Sequence, residues 1–388
     1  MKLPPVRRPV SARRVSSALA DERIRAWSGG RRVRFFGSGT QSLAVALMAA
    51  RHGLQSDRPE AIIPAYGCPD LVAACEFAGV RAVLVDTARG RWGYDLAALR
   101  SACGARTVAI VAVNLCGTGD QIGAVREIAR CHGVPVIQDS AQYLPTAPQP
   151  TWHGDYVVLS FGRGKPLNLL GGGALLLPEG SEFSDAAVAP RPRSLRDRML
   201  RMAKTSAAAR LAFNSITHPS LYGIAAALPG LGLGQTRYSP LTGIQQDDGL
   251  LQRRFAAELP VFQSRSGYSL APWRECLSEW QRLGVTELRA ADSEGEAPGP
   301  KLRLPLLAPD RERRDRIVQR LDRAGLGASP FYAVALNRVA GVPSYIADTG
   351  PFPNADDLSG RLFTLPTHSA VEPRHVEDAD RIVRALLQ

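Results

Sequence analysis

The sequence lacks the marks of several large protein classes. Its six cysteines (Cys68, Cys75, Cys103, Cys116, Cys131, Cys276) form no CxxC pair and lie mostly in apolar stretches. They read as reduced core thiols of a cytosolic protein, not as a disulfide framework. The six histidines show no metal spacing, and neither HExxH nor a Cys/His cluster occurs, so no metal centre is expected. No GxGxxG follows a strand-like run, which disfavours nicotinamide chemistry. No uncharged apolar stretch reaches the ~18 residues of a membrane span. The start, MKLPPVRRPVSARRVSSALADERIR, has no apolar h-region of a secretory signal, and Pro4, Pro5 and Pro9 suggest a flexible arm. Lysine is also scarce: of 48 Lys and Arg residues, only Lys2, Lys165, Lys204 and Lys301 are lysines.

What remains is an ordinary globular composition. The 388 residues, 45% hydrophobic and 22% charged, allow two or three packed units. The net charge of +12 is uneven: residues 1–34 carry +8 and residues 191–210 carry +6, leaving −2 for the rest. A near-neutral body with two basic attachments argues against nucleic-acid binding as the main role.

Between about residues 35 and 178, short apolar runs alternate with amphipathic stretches. EAIIPAY, RAVLVDT, TVAIVAVNL, VPVIQDSA, YVVLSF and GGALLL read as strands; QSLAVALMAARHG, PDLVAACEFAG and GAVREIARCHG read as helices. That alternation predicts an α/β fold with a parallel sheet covered on both faces, and ligands at the carboxyl ends of its strands. The expected organisation is a basic arm at 1–34, a large domain at 35–180, a basic and apolar insertion at 181–238, and a smaller α+β domain at 239–388. In the last, TGIQQDDGLLQRRFAAELPVF, RERRDRIVQRLDRAG and HVEDADRIVRALLQ read as helices, and KLRLPLL and RLFTLP as strands.

The chemistry concentrates in SFGRGKPLNLLGGGALL, residues 160–176. Lys165 lies in a loop after a strand, between Gly164 and Pro166, with three glycines ahead. A lysine is ordinarily a solvated surface charge, but these flanks point it into a cleft, where it can form a Schiff base. With pyridoxal phosphate such a lysine needs a carboxylate at the pyridine nitrogen. Asp139 ends the strand VPVIQD, although DSAQ also suits a helix cap. The phosphate needs donors at a helix N-terminus, and Ser38, Gly39 and Thr40 precede the helix QSLAVALMAA.

With these pieces in order, the chain resembles the DegT/DnrJ/StrS sugar aminotransferases, a family of fold-type-I pyridoxal-phosphate enzymes, from about residue 35 onward. FGSGTQSLAVAL resembles its SGTxAL motif, HGVPVIQDSAQ its DxAQ motif, and GDYVVLSFGRGKPLNLLGGGALL its lysine segment. PLTGIQQDDGLLQ, LDRAGLGASPFY and RLFTLPTH resemble small-domain landmarks. The resemblance implies a large domain with a mostly parallel seven-stranded sheet, a smaller α+β domain, and a homodimer with shared sites. It implies Lys165 as the Schiff-base lysine and proton shuttle, Asp139 at the pyridinium nitrogen and Gln142 near the ring. Gly39, Thr40, Gln41 through its backbone, and Ser160 would hold the phosphate. Cys68 stands where relatives carry a stacking aromatic, with Tyr66 two residues earlier as a substitute. Gln235 or Arg237 stands where relatives reach across the dimer with an asparagine. His153, Asn114 and Arg163 read either as structural residues or as substrate contacts.

The expected activity is transfer of an amino group, from glutamate, to a keto-sugar nucleotide or related polar ketone in polysaccharide or natural-product assembly. The alternatives are a non-catalytic cofactor-binding sensor or scaffold, and a membrane-attached aminotransferase acting on a lipid- or carrier-linked ketone. The long basic insertion reads first as an arm against a partner subunit. With residues 1–34, its segment 186–232 also suits an anionic membrane surface or an acidic carrier.

Overall fold

Strands that are apolar along their whole length must be covered on both faces. The computed structural model, which describes residues 1–52, 57–178, 180, 206–227, 236–291 and 300–388, arranges them that way. The strands are β1 (Val33–Phe36), β2 (Glu60–Pro64), β3 (Arg81–Val85), β4 (Thr107–Val113), β5 (Val136–Asp139), β6 (Tyr156–Ser160) and β7 (Gly173–Leu176). They form one sheet in the order β1-β7-β6-β5-β4-β2-β3, with only β7 running against its neighbours. The expected α/β class and seven-stranded sheet are therefore present. After α1 (Ser17–Trp27), helices α2 (Gly39–His52) and α3 (Asp70–Ala78) pack against each other, α4 (Leu96–Ala102) packs on β3, and α5 (Ile122–Cys131) covers β4 and β5. Gly79 ends α3 in the left-handed region at φ 64°, closing the helix through N–H bonds to Cys75 and Glu76 carbonyls.

The N-terminal stretch corrects the expectation of a flexible arm. Leu3 and Val10 are buried, and the Leu3 N–H donates to the Gly325 carbonyl at 2.7 Å. Lys2 pairs with Asp322, and Arg8 donates to the Ser266 carbonyl and lies over the Phe262 ring. Pro4 offers its carbonyl to the buried His368 ring at 2.8 Å. Prolines here fix an extended path that side chains then tie down. The arm also contains a helix the sequence reading did not find, Ser17–Trp27, capped by Ser16, and its last residues enter β1. Trp27 and Phe35 join Phe161, Phe255 and Phe262 in a core on one face of the sheet.

That core also relocates part of the second unit. The helix predicted at 242–262 begins only at Leu250, because Asp247 Oδ2 accepts the Gly249 and Gln252 N–H groups and Gly249 adopts φ 89°. It packs on the large sheet through Phe255, Leu259 and Phe262. The segment around Leu336, Val339, Ile346 and Leu358 likewise joins the core of the large sheet. A three-stranded antiparallel sheet, β10-β9-β8 (Leu362–Pro366, Arg303–Leu307, Thr286–Glu287), has its own core with Trp273, Trp280 and Ile317. Of the basic insertion, residues 206–227, with the helices Ala207–Ile216 and Pro219–Ala227, and residues 236–238 lie within the described residues. Leu195, Arg196, Arg198, Met199, Arg201, Met202, Lys204 and Gln235 lie outside them.

Candidate active site

Parallel strands place their carboxyl ends along one edge, and the polar residues that end β4, β5 and β6 meet there. Asp139 ends β5 and Ser160 ends β6; Asn114 follows β4. The Asn114 N–H donates to the Asp139 carbonyl at 2.9 Å, and its side-chain amide donates to Ser140 Oγ at 2.8 Å. Asn114 thus locks two strand ends together at the mouth of the site.

The N-terminus of α2 comes up to the same edge because two glycines permit it. A Cβ on Gly39 would stand 2.7 Å from Ser160 Cβ, and one on Gly173 would stand 2.5 Å from the Gly39 nitrogen. No side chain fits between these backbones. Ser38 Oγ accepts the Gln41 N–H at 3.2 Å, and Gly39 and Thr40, the first residues of α2, line the cleft at the helix end that favours an anion.

The loop carrying Lys165 folds back on Phe161. The Phe161 carbonyl accepts N–H bonds from Leu169 and Gly171, and the Lys165 N–H donates to the Gly162 carbonyl. Beneath the loop the buried Arg254 guanidinium donates to the Leu169 carbonyl at 3.0 Å. Lys165 thereby lines a cleft together with Gly39, Thr40, Cys68, Asp139, Gln142 and Ser160. Residues separated by more than a hundred positions converge there.

Asp139 is buried, and one carboxylate oxygen accepts the Ala141 N–H at 2.9 Å. This is a turn, not the helix cap that DSAQ also allowed. Burial raises its carboxyl above the usual range; the Ala141 N–H and Lys165 oppose that, and Asp70 adds to it. A cation opposite Asp139 would relieve that cost. Gln142 accepts the Cys116 N–H at 3.0 Å and donates to the Tyr332 hydroxyl at 3.1 Å, so it ties the sheet edge to the 331–332 segment. Cys68 lines the cleft; burial and then Asp70 push its thiol up to about 12, and it hydrogen-bonds Tyr332.

The Gln41 backbone N–H goes to Ser38 Oγ at 3.2 Å, and four further candidates, Tyr66, His153, Arg163 and Arg237, do not line the cleft. Gln41 turns its side chain away, accepting N–H bonds from Gly37 and Gln245. Tyr66 is fully buried with its hydroxyl on the Tyr332 carbonyl at 3.0 Å, so its ring is core and offers no stacking face to the cleft. His153 is exposed where the chain enters β6, at the other end of that strand from Ser160. Arg163 and Arg237 are exposed.

Two cleft-edge residues went unnoticed in the sequence. Asp70 opens α3 and accepts the Thr40 hydroxyl at 2.9 Å. In the sequence it reads as an ordinary first-turn acid. Tyr332 closes the motif LDRAGLGASPFY, yet nothing local marks its hydroxyl as a partner of Gln142. Among the described residues, the only non-glycine residues with positive φ are Cys116 (55°), Leu170 (66°) and Phe331 (61°). One donates to Gln142, one ends the lysine loop and one precedes Tyr332. Such strain, of order 1–3 kcal/mol each, gathers where a site is held in place.

Comparison with known proteins agrees with this geometry. The sequence matches the DegT/DnrJ/EryC1/StrS aminotransferase family over residues 19–207 and 276–387. The chain belongs to that family. It is 33% identical over 189 residues to the L-glutamine:scyllo-inosose aminotransferase of Streptomyces griseus, covering 47% of this chain and 41% of that one. It is 28% identical over 163 residues to a UDP-N-acetyl-3-dehydro-alpha-D-glucosamine 3-aminotransferase of Acidithiobacillus ferrooxidans, covering 41% and 42%. The matched stretches thus span about two fifths of these relatives. Among solved structures, S. venezuelae DesV superposes with a TM-score of 0.66 at 20% identity, covering 97% of this chain and 91% of that one. Bacillus subtilis NtdA with bound cofactor PMP gives 0.66 at 16% identity, covering 97% and 78%. These likenesses establish the fold.

Proposed function

We propose that the chain is a pyridoxal-phosphate aminotransferase that places an amino group on a keto sugar, a keto-sugar nucleotide or a related polar ketone. The observation that carries this reading is the meeting of Lys165, buried Asp139 and the α2 N-terminus in one cleft. The residues fit the cofactor. A buried carboxylate lining the cleft suits a protonated ring nitrogen, and the N–H groups of Gly39 and Thr40 with the Ser160 hydroxyl suit a phosphate. When bound, the cofactor supplies a carbonyl for amino exchange and a ring that accepts electrons. Asp139 would keep the ring nitrogen protonated, and Lys165 would hold and move the proton at the reacting carbon. Gln142 and Asn114 hold the strand ends, while Leu115, Val113 and Val158 exclude water from below. Cys68, which lines the cleft, would lie beside the cofactor in place of an aromatic plane.

The relatives act on a keto-cyclitol and a keto-sugar nucleotide by name, which supports a polyhydroxylated ketone as the acceptor. Family membership also supports a homodimer with shared sites, and cysteines without partners support a reducing cytoplasm. The test is a half-reaction. Purified holoprotein given glutamate, or glutamine, should release one equivalent of the corresponding oxo acid and lose its visible absorbance. Lys165→Ala should slow this about a thousandfold or more while the protein stays folded. A protein that binds the cofactor without releasing any oxo acid would instead be a sensor or scaffold.

A further inference from the structure

Among the described residues, five large apolar side chains are exposed: Met1 (66%), Leu211 (70%), Ile216 (39%), Leu221 (47%) and Ile224 (65%). All five belong to the N-terminal strap and the helix pair Ala207–Ile216 and Pro219–Ala227; the rest of the described surface has none. Met1 and Ile224 border one shallow depression. The outward positions of the first helix are Ala207, Ala208, Leu211, Ala212 and Ile216, and those of the second are Ser220, Leu221, Ile224, Ala226 and Ala227. Arg210 is the only charged side chain in either helix. This reverses the usual surface helix, whose solvent face is polar, and exposed apolar patches of this kind mark interaction sites.

The strap that underlies the pair is strongly basic. Its first twenty residues hold Lys2, Arg7, Arg8, Arg13 and Arg14 and no acid. Asn214 clamps the strap by accepting the Val10 N–H at 2.8 Å and donating to its carbonyl at 3.1 Å, and the Lys2 N–H donates to the Pro219 carbonyl at 3.0 Å. Arg13 and Arg14 lie exposed. Hydrogen bonds thus tie the basic strap to the helix pair that carries the exposed apolar side chains.

We propose that this face docks on an anionic lipid bilayer, with Leu211, Leu221 and Ile224 entering the acyl boundary and the strap arginines meeting headgroup phosphates. The charge selects the partner. A second copy joined through the same patch would bring two basic straps together, a repulsive contact, whereas an anionic membrane attracts each cation. The helices have ten and nine residues, about half of what spans a bilayer. They suit lying in the interface, because each satisfies most of its own backbone hydrogen bonds there.

The test is sedimentation of the full-length holoprotein with vesicles of mixed phosphatidylglycerol and phosphatidylcholine, against phosphatidylcholine alone. Binding should favour the anionic vesicles, weaken in high salt, and fall at least tenfold in the triple variant L211S/L221S/I224S. The circular dichroism of that variant should be unchanged. In a second variant, Leu211→Trp, emission should shift to the blue and be quenched by brominated acyl chains. The proposal is overturned by no binding to anionic vesicles, by equal binding of the triple variant, or by an unquenched Trp. Concentration-dependent self-association that the triple variant abolishes, without vesicle binding, would give the face to a second copy instead.

Discussion

The carboxyl edge of the large sheet and the strap-and-hairpin face are built on opposite terms. At the sheet edge, polar side chains are held by directional partners: Asn114 on Ser140, Gln142 between Cys116 and Tyr332, Thr40 on Asp70. Large apolar groups there are turned inward. On the face of the strap and its helix pair, large apolar groups are turned outward, and arginines such as Arg13 and Arg14 are exposed beside neutral polar groups such as Ser220. A cleft that must bind one small molecule in one pose spends strain and buried charge on geometry. A face that meets a fluid or extended surface needs only area and charge of one sign. The two regions also differ in what fixes them. The edge depends on backbone approaches that tolerate no extra atom, and the hairpin on a strap pinned at a few points.

Substitutions in each region should therefore fail differently. Asp139→Asn keeps shape and hydrogen-bonding reach but removes the charge opposite the ring nitrogen. We expect turnover to fall on the order of a hundredfold or more, with an unaltered melting temperature. A loss of folding stability matching the loss of activity would make Asp139 a structural residue only.

The strap offers a stability test through pH. Burial pushes the His368 ring down to about 4 from its ordinary 6.5, with Arg7 and Arg303 adding to the effect and the Pro4 carbonyl opposing it. Between those values the unfolded chain takes up a proton that the folded one refuses, so stability falls as pH drops from about 6.5 to about 4. The loss should total roughly 3 kcal/mol. Denaturant midpoints across that range should show the slope, and His368→Asn should flatten it. An equal slope in the variant would assign the effect to other groups.

A smaller effect separates cleft geometry from general glycine loss. Gly39→Ala should weaken cofactor binding about tenfold, because its Cβ has Ser160 Cβ only 2.7 Å away. Gly104→Ala, with nothing within 4 Å, should change nothing measurable. Matching results from a binding titration of both variants would mean that the close approach at Gly39 has no role in the site.

How much of this was readable beforehand follows the same division. The strands and helices around the cleft announce themselves through local patterning, and Lys165, Asp139, Thr40 and Ser160 sit in motifs whose order along the chain survives folding. Tyr332 and Arg254 do not: their roles come from contacts 190 and 85 residues away, which no local pattern encodes. The strap was misread for a related reason. Prolines and arginines look like an untethered arm until Asn214, Asp322 and His368, all distant, are brought against them. Helix Ser17–Trp27 was hidden by its polar composition, since only Ala20, Ile24 and Trp27 of it are buried.

The most direct test of the cleft reading uses the scarcity of lysine. Borohydride reduction of the holoprotein fixes pyridoxal phosphate to whichever lysine carries it, and peptide mass mapping then identifies that residue among four. Lys2 is engaged by Asp322 and Lys301 by Glu287, while Lys165 lines the cleft with Asp139. The account predicts a single modified peptide containing Lys165, and none after Lys165→Ala. Modification at another lysine, or no stable adduct at all, would contradict it.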